Sequence, residues 1–364
     1  MNNLSVPSQE IRFGLDCLLF EACNLNCKFC LEAHTNRNID LTWIRSIPER
    51  MLERFKAEHP KFDKVKYLSI RLWGGELFFD QLDDSLFDEY NTLITTFKNL
   101  FKTEFPNMEL IFSFVTNGVF TKRDRVKNLL LNTNSQVNIS YDPIGRFHTQ
   151  KQEQTMLANT DYFNDLGLLS EISITLTKPC IKAYINNQSR LLSFKKYKKI
   201  DLNYYVANPN WKELLPNDDD IFNFFKYVID NDIYNIIDVE HLVQYYYFPD
   251  SEKELICNCD RHLSACKNSI TFNCVKAGSI FPNEDFYGEQ AQNITEDNVS
   301  DIKKHLGLLK RGCLLCKFYN ICPRPCWTAL LYKNYQLTQC PYQQVFKYLS
   351  EHPEIKERYS KWKF

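Results

Sequence analysis

The chain has 364 residues, enough for one large domain or two ordinary ones. Its net charge of −1 makes no electrostatic case for a nucleic-acid partner, and no apolar run approaches the length of a membrane span. The opening residues MNNLSVPSQEIRFG lack a charged stretch followed by an apolar core, so no signal peptide is read and a cytoplasmic protein is expected. In a reducing compartment, 14 cysteines point to metal binding rather than disulfides.

The first strand-like run, Phe13–Phe20, empties into FEACNLNCKFCLEAH. There Cys23, Cys27 and Cys30 stand as CxxxCxxC. Three thiolates are one short of the four that usually hold an iron–sulfur cluster. An open metal position is where catalysis takes place. A zinc site completed by His34 and a disulfide pair are the alternatives for the same residues. The spacing favours a cluster.

An amphipathic stretch, Ile44–Glu58, leads to the run Lys66–Trp73, which ends in WGGELFFD. Gly74 and Gly75 let the backbone approach a ligand closely. Glu76 adds a carboxylate able to accept hydrogen bonds from an ammonium group. The helical stretch Leu82–Phe101 and the run Leu110–Val115 follow. That run ends at Asn117-Gly118, a turn signal. After the helix Arg123–Leu131 comes the run Gln136–Tyr141 and then DPIGRFH. Ser140 and Asp142 either face a ligand there or cap the next helix. Gln154–Leu166, Glu171–Leu176 and Asp201–Val206 continue the alternation. Six strand–helix units predict an α/β fold of parallel strands joined by crossover helices. This count suits a partial (β/α)6 barrel better than a closed eight-unit one. Functional groups in such barrels collect at the C-terminal ends of the strands.

Residues Asn208–Asn231 read as a turn-rich linker running into a helix. From about Ile236 the character changes, which divides the chain into a barrel, 1–235, and a cysteine-rich extension, 236–364. Nine cysteines lie from Cys257 to Cys340. Cys313, Cys316, Cys322 and Cys326 form CxxCxxxxxCxxxC and Cys340 follows, with Cys257, Cys259, Cys266 and Cys274 upstream. So many sulfurs exceed one zinc site and favour iron–sulfur centres or two zincs. The extension is expected to depend on metal to fold. Cys17 and Cys180 read as small buried apolar residues.

Taken together, these residues resemble the radical S-adenosylmethionine (radical SAM) enzymes that carry a C-terminal SPASM domain, and among them the maturases of ribosomally made peptides. CxxxCxxC with Phe29 before its last cysteine is similar to that superfamily's [4Fe-4S] loop. Gly74-Gly75-Glu76 is similar to its SAM-amine motif, with Leu77 where proline is usual. Asn117, Ser140 and Asp142 fall where its strand ends contact SAM. The resemblance implies that SAM fills the open iron position and is cleaved to a 5′-deoxyadenosyl radical that abstracts hydrogen from a substrate.

For the extension it implies one or two auxiliary [4Fe-4S] clusters. Cys313, Cys316, Cys322 and Cys340 would hold the second of these. Cys326 would reach the first, with Cys266 and either Cys259 or Cys257. Gly278 matches the pattern, but Asn283 stands where a cysteine is expected. That first cluster is therefore completed by Cys274, left with an open iron, or absent. Glu284 and Asp285 occupy the region of a catalytic base in sulfatase-maturating relatives, and a solvated loop acid is the alternative for both.

The implied function is modification of a ribosomally synthesised precursor peptide by a crosslink, cyclophane or thioether. A formylglycine-generating oxidase and a peptide epimerase are the alternatives. An electron donor such as flavodoxin or ferredoxin is implied as a partner. A barrel beginning near residue 11 leaves no room before it for an N-terminal peptide-recognition module, so precursor binding is expected on the barrel and extension surfaces.

Overall fold

The computed structural model describes residues 11–30, 39–57, 65–204, 213–249, 279–280, 315–322 and 340–363. In chain order these form β1 (Ile11–Leu18), α1 (Leu41–Ala57), β2 (Val65–Trp73), α2 (Ser85–Glu104), β3 (Glu109–Thr116), α3 (Arg123–Thr133), β4 (Ser135–Tyr141), α4 (Gln150–Asp165), β5 (Leu169–Leu176), α5 (Lys178–Ile185), β6 (Ile200–Tyr204), α6 (Asp218–Asp230), α7 (Ile237–Tyr247), β7 (Ser279–Ile280), α8 (Pro341–Glu351) and α9 (Glu354–Lys363). The strands pair in parallel in the order β6-β5-β4-β3-β2-β1-β7. Six of them make the curled half-barrel that the strand–helix alternation predicts. The two-residue β7, which pairs Ser279 with Asp16, is too short to show a period in sequence.

The strands carry different residues on their two faces because successive side chains point opposite ways. On β4 and β5, Val137, Ile139, Tyr141, Ile172, Ile174 and Leu176 are fully buried in the apolar core. The alternate positions are polar: Asn138, Ser140, Glu171 and Ser173. A parallel sheet covered by helices on both sides reads as continuous apolar runs. This one keeps one polar face. The helices cover the other face with stripes three and four residues apart, as in α2 with Leu86, Tyr90, Leu93, Ile94, Phe97 and Phe101. Capping boxes start α4 at Thr149 with Gln152 and α6 at Asn217 with Asp220. Thr149, rather than Ser140 or Asp142, therefore caps the helix after β4.

Beyond Ile236 the described helices are α7, α8 and α9. Tyr342, Val345, Phe346 and Leu349 of α8 recur at helical spacing and lie in the same apolar core as the barrel. The Tyr342 ring meets Phe225 of α6 edge-on at 5.6 Å, and its hydroxyl donates to Asp238 of α7 at 2.9 Å. Tyr247 Oη stands 2.8 Å from the carbonyl oxygens of both Leu349 and His352. Burying each large apolar side chain contributes about 1.5–3 kcal/mol, so these helices are held by ordinary packing. Among the described residues no helix is long and apolar enough to cross a membrane.

Candidate active site

The cysteine loop after β1 is laid against the end of β2 by backbone bonds. Leu19 N–H donates to Trp73 O, Gly75 N–H to Phe20 O and Glu76 N–H to Ala22 O, each at 2.8 Å. The approach is so close that a Cβ on Gly75 would lie 2.2 Å from the carbonyl oxygens of Glu21 and Ala22, and one on Gly74 would lie 2.6 Å from Phe20 O. The close approach expected of these glycines is present, and the group they approach is the loop backbone itself. On the other side, the Trp43 indole N–H of α1 donates to Leu18 O at 3.1 Å.

Glu76 is 1% exposed. Its Oε1 accepts from the Thr116 hydroxyl at 2.6 Å and from Phe78 N–H at 2.9 Å, and its Oε2 accepts from Asn117 N–H at 2.6 Å. The carboxylate expected to meet an ammonium group is thus engaged by the chain, where it locks the end of β2 to the end of β3. Burial raises its pKa above the ordinary carboxylate value. The three donors and the charge of Arg146 pull the other way.

Asn117 closes the third side. Its Nδ2 donates to Asn24 Oδ1 at 2.8 Å and points at Cys23 Sγ at 3.9 Å, while its Oδ1 accepts from Val119 N–H at 2.8 Å. Asn24 Nδ2 in turn donates to Val119 O at 2.8 Å. Leu25 N–H points at Cys23 Sγ at 3.4 Å, and Cys30 N–H donates to Cys27 O at 3.0 Å. Asn117 is therefore more than a turn former: it fixes the loop beside Cys23. Gly118, at φ +72°, makes the turn.

Asp142 is fully buried. Its Oδ2 accepts from Arg146 Nε and Nη2, both at 2.6 Å, and its Oδ1 accepts from Thr175 N–H at 2.8 Å. It ties the β4 loop to β5. The Arg146 guanidinium carbon lies 5.3 Å from the centre of the Phe29 ring, so the two stack across the cysteine loop. Ser140 is half-buried on the polar face, opposite Ser173. Thr116, Asn24 and Arg146 were not picked out from the sequence. Thr116 shares the buried face of β3 with Phe112 and Phe114, and Arg146 follows Asp142 at a spacing of four. Both were readable signals.

Cys23, Cys27 and Cys30 are all partly buried on one loop. Among the described residues no three His, Cys, Asp or Glu side chains stand close enough to hold a single metal ion. A four-iron cluster takes its ligands on separate irons, so it suits a wider set of thiols than one ion does. The donor set fits such a group: three soft thiols, N–H groups directed at Cys23 sulfur, and the Arg146 cation over Phe29, the residue before Cys30. Of the C-terminal cysteines, Cys316, Cys322 and Cys340 are partly buried, and Cys322 and Cys340 pack against the core. His34, Cys257, Cys259, Cys266, Cys274, Cys313, Cys326, Gly278, Asn283, Glu284 and Asp285 lie outside the described residues. Cys17 and Cys180 are fully buried, as read from the sequence.

No protein-family model matches the sequence, and no curated protein matches it. Solved structures do match. The chain is 16% identical to histidine-tagged anSMEcpe with bound AdoMet (S-adenosylmethionine), with a TM-score of 0.60 over 96% of this chain and 100% of that one. Native anSMEcpe with bound AdoMet and the Cp18Cys peptide gives the same score and identity over 97% of this chain and 100% of that one. The complex with the Kp18Cys peptide matches at 14% identity and a TM-score of 0.60. The likeness at this identity is one of fold: the chain has the architecture of anSMEcpe over nearly all of its length.

Proposed function

We propose that the protein is a radical SAM enzyme that modifies a peptide. The observation that carries this reading is the placement of the three thiols. A half-barrel with the fold of anSMEcpe, a sulfatase-maturating radical SAM enzyme, sets Cys23, Cys27 and Cys30 on the loop after its first strand, with the ends of β2 and β3 closed around it. When bound, the cluster and SAM would supply a hydrogen-abstracting radical.

The chain's own part is positioning. Cys23, Cys27 and Cys30 would hold three irons. Gly75 and Glu76 fix the loop against β2, and Asn117 aims Cys23. Ser140 and Ser173 line the polar face on which SAM and the peptide would lie. Cys316, Cys322 and Cys340 would serve an auxiliary cluster, with their partners from the remainder of the extension. A low-potential electron donor, flavodoxin or ferredoxin, is part of the proposal.

Two peptide chemistries are compatible with this site. The resemblance seen in sequence favours a crosslink. The two anSMEcpe complexes solved with Cys peptides favour oxidation of a Cys or Ser side chain to formylglycine. Mass spectrometry of a candidate precursor co-expressed with the enzyme separates them. Loss of two hydrogens without a hydrazine-reactive aldehyde marks a thioether or carbon–carbon crosslink, whereas a hydrazine-reactive aldehyde, reached by loss of two hydrogens from Ser, or from Cys with exchange of sulfur for oxygen, marks formylglycine. Anaerobic reconstitution tests the reading as a whole. Zinc alone, with no iron, sulfide or visible absorption, would sink it.

A further inference from the structure

Arg146 sits between a carboxylate and the cysteine loop. Its side chain is 13% exposed. On one side it donates twice to Asp142 Oδ2. On the other its guanidinium covers Phe29, the residue before Cys30. Gly145 brings the backbone to the same ring, since a Cβ there would lie 3.6 Å from two of its carbons. Burial opposes the charge on Arg146, but its neighbours, Asp142 foremost, outweigh it and hold the guanidinium protonated. The order across the site is Asp142, Arg146, then Phe29 of the cysteine loop.

We propose that Arg146 is a positioning residue that pins the cysteine loop through Phe29 and, by its fixed charge, raises the reduction potential of a cluster held by Cys23, Cys27 and Cys30. The inference rests on the cluster reading above. One electron from an external low-potential reductant makes a thiolate-ligated cluster one unit more negative. A cation held in a poorly solvated place beside it stabilises the reduced form more than the oxidised one. Asp142 offsets this only in part, because it lies behind the guanidinium. If the Asp142–Arg146 pair only closed β4 onto β5, the potential would not depend on it.

The test is an anaerobic redox titration followed by electron paramagnetic resonance on the reconstituted full chain. The spectrum of the Cys23→Ala/Cys27→Ala/Cys30→Ala variant is subtracted to remove any other cluster. With Arg146→Gln the midpoint is expected to move to more negative potential, and with Arg146→Lys to stay nearer the parent value. Asp142→Asn/Arg146→Gln, which leaves no stray carboxylate, is expected to remain more negative than the parent. An unchanged midpoint in a fully iron-loaded Arg146→Gln variant would overturn the proposal. So would a shift that disappears in the double variant, because the exposed charge of Asp142 would then be its cause. If Arg146→Gln fails to load iron, the double variant decides alone. Absence of the subtracted signal from the parent enzyme would instead defeat the cluster reading, so the two failures are distinguishable.

Discussion

The two cysteine-bearing regions are secured in different ways. The loop at Cys23–Cys30 is bound into the barrel from three sides: by backbone bonds to the end of β2, by Asn117 from β3, and by Arg146 over Phe29 from beyond β4. The segment 315–322 folds on itself. Tyr319 N–H donates to Cys316 O and Cys322 N–H to Phe318 O, and Phe318 leans on Phe346 of α8 at 5.0 Å. The barrel thus shapes the first loop through bonds that need no metal, and the described part of the second region shows a short turn, an aromatic contact and apolar packing of Phe318, Ile321 and Cys322 on the core. The first loop is suited to hold a group that must be aimed at a substrate.

The strongest way to break this contrast is to remove one sulfur from each region. Cys27→Ala is expected to abolish SAM cleavage, read as 5′-deoxyadenosine by chromatography. Retained cleavage would remove the first loop from the chemistry. Cys322→Ala is expected to leave cleavage largely intact and to block formation of the modified peptide. A normal product yield from that variant would make the second region dispensable.

A subtler break acts on the bonds to the barrel rather than on the sulfur. Gly75→Ala introduces a Cβ 2.2 Å from two carbonyl oxygens of the loop. Backbone cannot yield as a flexible side-chain end does, so the loop must move off β2. The expected cost is about 1–3 kcal/mol of stability, measured by urea unfolding, with loss of iron from the Cys23–Cys30 site. Unchanged stability and iron content would mean that the loop is placed by its cysteines and not by the strand end.

The barrel was legible because its strands obey a period of two and its helices present apolar stripes. The run Lys66–Trp73 differs from β2 by one residue. Gly74-Gly75 and Asn117-Gly118 marked strand ends that do meet the cysteine loop. The roles of single side chains were harder to read, because they depend on neighbours distant in sequence. Asp142 finds Thr175 only through the register of β4 on β5, and Glu76 finds Thr116 through that of β2 on β3. The stripe Tyr342, Val345, Phe346, Leu349 was visible in sequence.

The smallest expected effect concerns the sign of the charge balance at Glu76, on which the tie between β2 and β3 depends. Three donors stabilise its carboxylate, while complete burial penalises the charge, and burial is the larger influence. Its folded pKa therefore lies above the usual 4.5, and the folded chain holds this proton at pH values where the unfolded chain has released it. Stability from this group is present in full below pH 4.5 and falls as pH rises through the raised value. Relative to Glu76→Gln, which does not titrate, the parent is expected to gain stability as pH is lowered from neutral toward 4.5, measured by urea midpoints at each pH. A loss over the same range would mean that the Thr116, Asn117 and Phe78 donors outweigh desolvation. The carboxylate would then be the charged centre of the strand-end lock, and the first cysteine loop would owe its placement to electrostatics as well as to close backbone packing.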